Sequence, residues 1–242
     1  MAGVPKEILF ARDPDNPYDS LSASGHNQTH KEETMVEDLF DGIEWLGHSG
    51  FRISRGIVVY LDPYEIDGGP EADLILISHS HYDHCSPEDV KKIQKKDTVI
   101  VTEKTSAAKL KGDIRTVKPG DSLEVLGLTI ELVPAYNLNK TFHPKANGWL
   151  GFVVDFKGAR LYHTGDTDLI PEMKDIRADI ALLPVSGTFV MTPAEAVEAA
   201  LILQPKIAVP MHYGEVVGDV RDAKAFKKAL EGRIDVRILE KD

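Results

Sequence analysis

From residue 42 onward the chain alternates between short β-branched or apolar runs and segments with helical spacing, each bounded by turn residues. The runs predict strands over residues 42–53, 56–61, 73–77, 98–102, 128–133, 151–156, 160–162, 180–183, 207–209 and 236–239. Ser86-Pro87-Glu88-Asp89 sets a capping hydroxyl, a first-turn proline and two acids ahead of a helix over 90–96. Thr192-Pro193-Ala194-Glu195 reads as a capping box opening a helix that stops before Pro205. Over 222–230, Ala223, Phe226, Ala229 and Leu230 share one helical face. Early strands followed by strand–helix alternation predict an α/β fold of two sheets with helices outside.

The first 34 residues read differently. Residues 13–34 are rich in Asp, Asn, Pro, Ser and Gly without a sustained apolar period, so 1–34 is expected to be a polar N-terminal arm, loop-like and loosely held. The patterned domain is expected over 35–242, and a protein begun at Met35 should fold.

Composition narrows the choice of partner. With 242 residues, 42% hydrophobic and 28% charged, the chain has the make-up of one globular domain. A net charge of −11 speaks against a nucleic-acid partner, which needs clustered Lys and Arg. Cys85 is the single cysteine, so no intrachain disulfide forms and a reducing compartment fits. No secretory core and no run of about 18 apolar residues is found, so a cytoplasmic protein without membrane attachment is expected.

The candidate chemistry sits in His79-Ser80-His81-Tyr82-Asp83-His84, which follows the buried-type run Leu74-Ile75-Leu76-Ile77. Residues two apart in extended chain point the same way, so His79 and His81 are placed to grip one ion. Asp83 and His84, past the turn, can reach a second. Imidazole and carboxylate donors suit zinc, and also manganese or iron.

This His-x-His-x-Asp-His pattern resembles the signature of the metallo-β-lactamase superfamily. That family's later ligands, a histidine, a bridging aspartate and a final histidine, have counterparts in His143, Asp166 and His212, at intervals of 60, 23 and 46 residues from Asp83 onward. Trp45-Leu46-Gly47-His48-Ser49-Gly50-Phe51, Leu61-Asp62-Pro63-Tyr64 and Tyr162-His163-Thr164-Gly165-Asp166-Thr167 resemble a branch of uncharacterised metal-dependent hydrolases similar to ascorbate-phosphate lactonase. The resemblance implies an αββα sandwich of two mixed sheets flanked by helices, with two divalent transition-metal ions at one edge. It assigns His79, His81 and His143 to the first ion, Asp83, His84 and His212 to the second, and Asp166 to both. Some relatives place the third histidine where this chain has Asn137, so whether His143 or Asn137 completes the first site stays open.

Two ions about 3.5–4 Å apart activate a shared water, and the hydroxide they bridge would cleave an ester, lactone, amide or phosphoester bond of a small molecule. Asp83 is expected to orient that nucleophile as well as to ligate. His48 is expected to line the cleft or hydrogen-bond a ligand, Asp62 to orient a metal-bound imidazole, and His163 to serve structure. Asn137 and Lys140 lie in the loop 136–149, where substrate choice is expected, with Lys140 facing an anionic group. His26 and His30, in the arm, are expected to be bystanders, and Cys85 a buried, inert thiol. The alternatives are a mononuclear iron oxidoreductase or an RNA phosphodiesterase on the same fold. Diiron oxygen-reducing relatives carry Glu where this chain has His81, whereas the motif of a mononuclear iron enzyme can look alike and leaves that alternative open; against the RNA phosphodiesterase, no basic arm interrupts the span between Asp83 and His212. A homo-oligomer is compatible with the sequence.

Overall fold

The computed structural model describes residues 19–241, the side chains of 19–29 excepted. A helix, α1 (Asp19–Phe40), leads into a six-stranded sheet of β1 (Ile43–Gly47), β2 (Gly50–Ser54), β3 (Val58–Leu61), β4 (Ala72–Ile77), β5 (Gln94–Thr102) and β6 (Asp113–Thr116), in that spatial order. The strands are antiparallel up to β3 and parallel from β3 to β6. Between them run α2 (Pro87–Ile93) and α3 (Lys104–Ala107). The second sheet holds β7 (Ser122–Val125), β8 (Leu128–Pro134), β9 (Leu150–Asp155), β10 (Arg160–His163), β11 (Ile180–Pro184), β12 (Ile207–Met211) and β13 (Asp235–Val236), neighbours in space as in sequence. It too is mixed, antiparallel from β7 to β10 and parallel from β10 to β13. Helices α4 (Pro193–Leu203) and α5 (Val220–Ala229) complete an αββα sandwich.

Burial follows from covering both faces of each sheet. In β4, Leu74 and Leu76 join the main core with Phe51, Phe152 and Leu161, whereas Ile75 and Ile77 join a second cluster with Val90, Ile93 and Leu110. A strand buried on both sides needs an unbroken apolar run, which is what Leu74-Ile75-Leu76-Ile77 supplies. Helix α4 is held at its start by the reciprocal Thr192–Glu195 capping box and buries Ala196, Ala199, Ala200 and Leu203. Among the described residues no helix is long and apolar enough to cross a membrane.

Several expectations are corrected. Residues 42–53 form a hairpin rather than one strand, because Gly47 (φ 101°) and His48 (φ 49°) turn the chain between β1 and β2. The helix expected over 90–96 ends at Ile93, and Gln94 already takes extended geometry as β5 begins. Residues 236–239, read as a strand, contribute only Val236 to β13. Residues 19–34, read as loop, belong to α1, while residues 1–18 of the expected arm lie outside the described residues. Among its described side chains, residues 30–40, Val36 and Leu39 are buried, Met35 and Phe40 pack beside them, and Glu37 pairs with Arg237 at 2.7 Å. The strands β6 and β7 and the short α3 went unanticipated.

Strand direction gathers the chemistry at one edge. Strands β1, β3, β4, β8, β10, β11 and β12 all point their C-terminal ends the same way within their sheets. The residues that follow them include His48, Asp62, the 79–84 run, His143, Asp166, Ser186 and His212. Open sheets present ligand sites at just such carboxyl ends.

Candidate metal centre

The loop after β4 turns sharply, with the Cys85 N–H donating to the His81 carbonyl at 2.8 Å, and brings His79, His81, Asp83 and His84 under one roof. His79 Nε2 and His81 Nδ1 stand 3.0 Å apart. Two ligand nitrogens of one tetrahedral zinc, each at about 2.0–2.1 Å, would be separated by roughly 3.3 Å. His143 closes the same group, and the donor atoms of His79, His81 and His143 all lie within 4.8 Å of one another. A second group, under the same limit, comprises His48, Asp83, His84 and His212.

Asp166 stands between them. Its Oδ2 is 3.2 Å from His143 Nε2 and 3.0 Å from His212 Nε2, and its Oδ1 is 3.3 Å from His84 Nε2. Gly165 makes this placement possible: at φ 61°, any Cβ there would meet the Leu150 carbonyl oxygen at 2.5 Å. Three non-glycine residues of the site also take left-handed backbone, His48, Asp62 (φ 42°) and His212 (φ 59°). Such conformations cost about 1–3 kcal/mol each and persist where surrounding bonds enforce them. Here the Leu76 carbonyl receives the Asp62 N–H at 3.0 Å, and the His48 carbonyl receives the His212 N–H at 2.8 Å.

The outer partners fix which nitrogen of each ring faces inward. Asp62 accepts from Ser78 N–H at 2.7 Å, from the Ser78 hydroxyl at 2.5 Å, and from His84 Nδ1 at 2.8 Å. With its hydrogen given to Asp62, Ser78 Oγ accepts from His79 Nδ1 at 2.9 Å. His143 Nδ1 meets two acceptors, Asn137 Oδ1 at 3.1 Å and the Phe189 carbonyl at 3.2 Å. In His79 and His143 the proton sits on Nδ1 and the Nε2 lone pair points at the cluster, while His84, bonded to Asp62 through Nδ1, turns its Nε2 inward toward Asp166. His212 Nδ1 is 2.9 Å from Ser186 Oγ.

A metal fits this arrangement better than the protein alone satisfies it. His84 Nε2, His143 Nε2 and Asp166 Oδ1 are buried without a hydrogen-bond partner among the described residues. Orphaned buried donors and acceptors cost roughly 1–3 kcal/mol each, so three gathered around the Asp166 carboxylate ask for an occupant.

Electrostatics sorts the histidines. Burial pushes His79 well below the ordinary imidazole value, with neighbouring His84 adding to it. Burial likewise lowers His81, and with His212 it brings His48 down to about 4. His84 goes the other way: burial opposes its charge, but Asp166 and Asp62 outweigh burial and raise it well above 6.5. Burial would raise Asp83, yet the His48 contact at 3.2 Å and the His84 charge bring it to about 2. Asp166 is held well below the carboxylate range, His212 and His84 overcoming the burial penalty.

The remaining expected residues find definite places. Asn137 stands behind His143, so His143 rather than Asn137 faces the cluster. Lys140, expected to face an anionic substrate group, is folded back onto buried Asp168 at 2.6 Å. His163 spends both ring nitrogens on backbone, donating from Nε2 to Ser49 O at 2.9 Å and accepting from Gly165 N–H at 3.2 Å. His30 is exposed on α1, and the His26 side chain lies outside the described residues. Cys85 is buried. Sequence reasoning missed Asp168, Ser186 and Phe189. Asp168 also accepts from the Leu138 N–H at 2.8 Å and from Asn137 Nδ2 at 3.1 Å, and so anchors the His143 loop. Its only signal was a second acid two residues after Asp166.

Comparison with known proteins settles the family. A family model described as the beta-lactamase superfamily domain matches residues 42–212, from the start of the first sheet to His212. The chain belongs to the metallo-β-lactamase superfamily. Within it, a UPF0173 metal-dependent hydrolase from Methanopyrus kandleri is 32% identical over 223 residues, covering 82% of this chain and 96% of the relative. One from Thermoplasma acidophilum is 34% identical over 213 residues, covering 81% and 93%. A crystal structure of a candidate metal-dependent hydrolase from Parabacteroides distasonis superposes with a TM-score of 0.75 at 37% identity, covering 82% and 93%. This superfamily member is therefore a metal-dependent hydrolase of the UPF0173 branch.

Proposed function

We propose that the chain holds two divalent transition-metal ions, zinc first and manganese or iron as alternatives, and hydrolyses an ester, lactone, amide or phosphoester bond of a small molecule. The observation that carries this reading is the convergence of orphaned buried atoms, Asp166 Oδ1, His84 Nε2 and His143 Nε2, between two groups of donor atoms. His79, His81 and His143 hold the first ion; Asp83, His84 and His212 hold the second; Asp166 serves both. Such a pair, when bound, supplies Lewis acidity toward the scissile oxygen and a water-derived nucleophile at neutral pH.

The chain's own residues determine the rest. Asp83, ionised down to about pH 2, accepts a hydrogen bond from the attacking water and aligns it, since so weak a base orients better than it deprotonates. His48, neutral at pH 7, offers one donor and one acceptor beside Asp83. Trp149 lies against His79 and His81, each at 4.7 Å between ring centroids, and screens the first group from bulk water.

The test is elemental analysis of the reconstituted protein with a hydrolysis screen over the four bond types. Close to two ions per chain and turnover that a chelator removes are expected. Trace metal only, or a fully loaded protein inert toward all four classes, overturns the reading.

A further inference from the structure

Among the described residues six large apolar side chains are exposed, and three of them stand on the two loops that carry ligands. Tyr82, 64% exposed, lies between His81 and Asp83, while Leu138 at 58% and Phe142 at 48% belong to the loop of His143. The aromatic ones are paired. Tyr82 meets half-buried Tyr64 edge-on at 5.8 Å between centroids, on the side of His48, and Phe142 meets half-buried Phe189 at 4.6 Å, on the side of His143. Each group of donor atoms thus has an aromatic pair beside it. Apolar side chains kept in water next to a polar centre mark a binding surface.

The cations beside this mouth are already engaged. Lys140 is turned onto Asp168, Lys145 onto Glu172, and Lys109 donates to the Ser80 carbonyl. None of the three points at a substrate anion, on a chain whose net charge is −11.

We propose that the mouth selects an uncharged substrate with an aryl or medium-length alkyl group, which packs between the Tyr64–Tyr82 and Phe142–Phe189 pairs while the bond to be cleaved faces Asp83 and Asp166. This rests on the hydrolase reading above and gives it a substrate class. Rims of this kind reward apolar area, each buried methylene contributing a factor of about four at most.

Two measurements test it. With the metal-loaded protein, 4-nitrophenyl acetate, butyrate and hexanoate are compared with the hexanoate analogue bearing a terminal carboxylate. The value of kcat/KM is expected to rise roughly two- to fourfold per methylene, and to fall about tenfold with the carboxylate. Phe142→Ala and Tyr82→Ala should flatten the series. With metal-free protein, binding of the neutral nitroaryl amide hexanoyl 4-nitroanilide is followed by quenching of tryptophan fluorescence in a Trp45→Phe background, which leaves Trp149 as the emitter, and both variants should weaken it about tenfold while circular dichroism shows an unchanged fold.

A flat series, a preference for the carboxylate, or folded variants that bind and discriminate as the parent does would overturn the proposal while leaving hydrolysis intact. Amide binding that depends on Phe142 and Tyr82, without turnover of any ester, lactone, amide or phosphoester by the metal-loaded protein, supports the mouth and refutes the hydrolytic reading.

Discussion

Asn137 Oδ1 receives both the backbone N–H and Nδ1 of His143, at 3.0 and 3.1 Å, while Asn137 Nδ2 donates to Asp168 and to the Phe189 carbonyl. One amide thereby locks a histidine six residues away in a loop whose regular structure is limited to a 3-10 turn at Lys145–Asn147, and locks it in the tautomer a metal requires.

Asn137→Ala should weaken the first ion about 10–100-fold, the usual loss when a partner behind a metal ligand is removed. The second ion should be held as before. A competition titration with a chromophoric chelator reads both steps. Parent-like affinity in the first step would show that the loop alone orients His143.

Asp166→Ala should lower occupancy of both sites and abolish hydrolysis, because both groups of donors share that carboxylate. His212→Ala should empty chiefly the second. His163→Ala should keep both ions, its nitrogens being occupied by backbone. Metal content of the three folded variants after identical purification decides; loss of both ions in His163→Ala with retention in Asp166→Ala would reverse the assignment.

Metal loading should release a proton from His84 at pH 7. Its folded value lies well above 6.5, so the metal-free ring is charged and must give up its Nε2 proton to ligate. His79 and His81, lowered by burial, arrive neutral and release none. Calorimetry in two buffers of different ionisation enthalpy counts the proton, and no buffer dependence would contradict it. In the metal-free protein the sign for stability is the reverse of an acid's. The charged His84 contributes fully below about pH 6.5, its unfolded value, and that contribution is lost as pH rises through the higher folded value.

A protein begun at Met35 should fold and bind metal, because the buried residues of α1 among the described side chains, Val36 and Leu39, lie beyond the cut. Leu39→Ala in the full chain should cost about 2–5 kcal/mol by urea unfolding. An insoluble truncation would place residues 1–34 in the domain itself.

The site was more legible than parts of the fold. The run from His79 to His84 declares itself because four donor-type residues in six, directly after a doubly buried strand, have no packing explanation. Asp62 behind His84 and the structural role of His163 could also be read. Asp168 could not, because a buried aspartate that braces a loop differs from a surface one only through partners 28–31 residues away in sequence. β6 and β7 were invisible for a related reason: Asp-Ile-Arg-Thr and Ser-Leu-Glu-Val lie at or near sheet edges, half in water, and carry little of the apolar signal that pattern reading needs. Polar helix formers such as Lys31, Glu32 and Glu33 have the same effect in α1, where Met35, Val36, Leu39 and Phe40 are the described side chains that meet the core.

The ligand groups draw on both halves of the sandwich: His79 to His84 hang from the six-stranded sheet, whereas Asp166 and His212 hang from the seven-stranded one. A loaded centre therefore works as a rivet between two layers that otherwise adhere through apolar packing and a few hydrogen bonds, among them His212 N–H to the His48 carbonyl and His163 Nε2 to the Ser49 carbonyl. At free metal about a thousandfold above the dissociation constant, such linkage adds about 4 kcal/mol to the folded state. Thermal midpoints with and without chelator should differ accordingly. For a cell, the lifetime of the chain against proteolysis then reports metal supply: under starvation the unriveted form opens more often and is cleared, so catalyst and cofactor decline together.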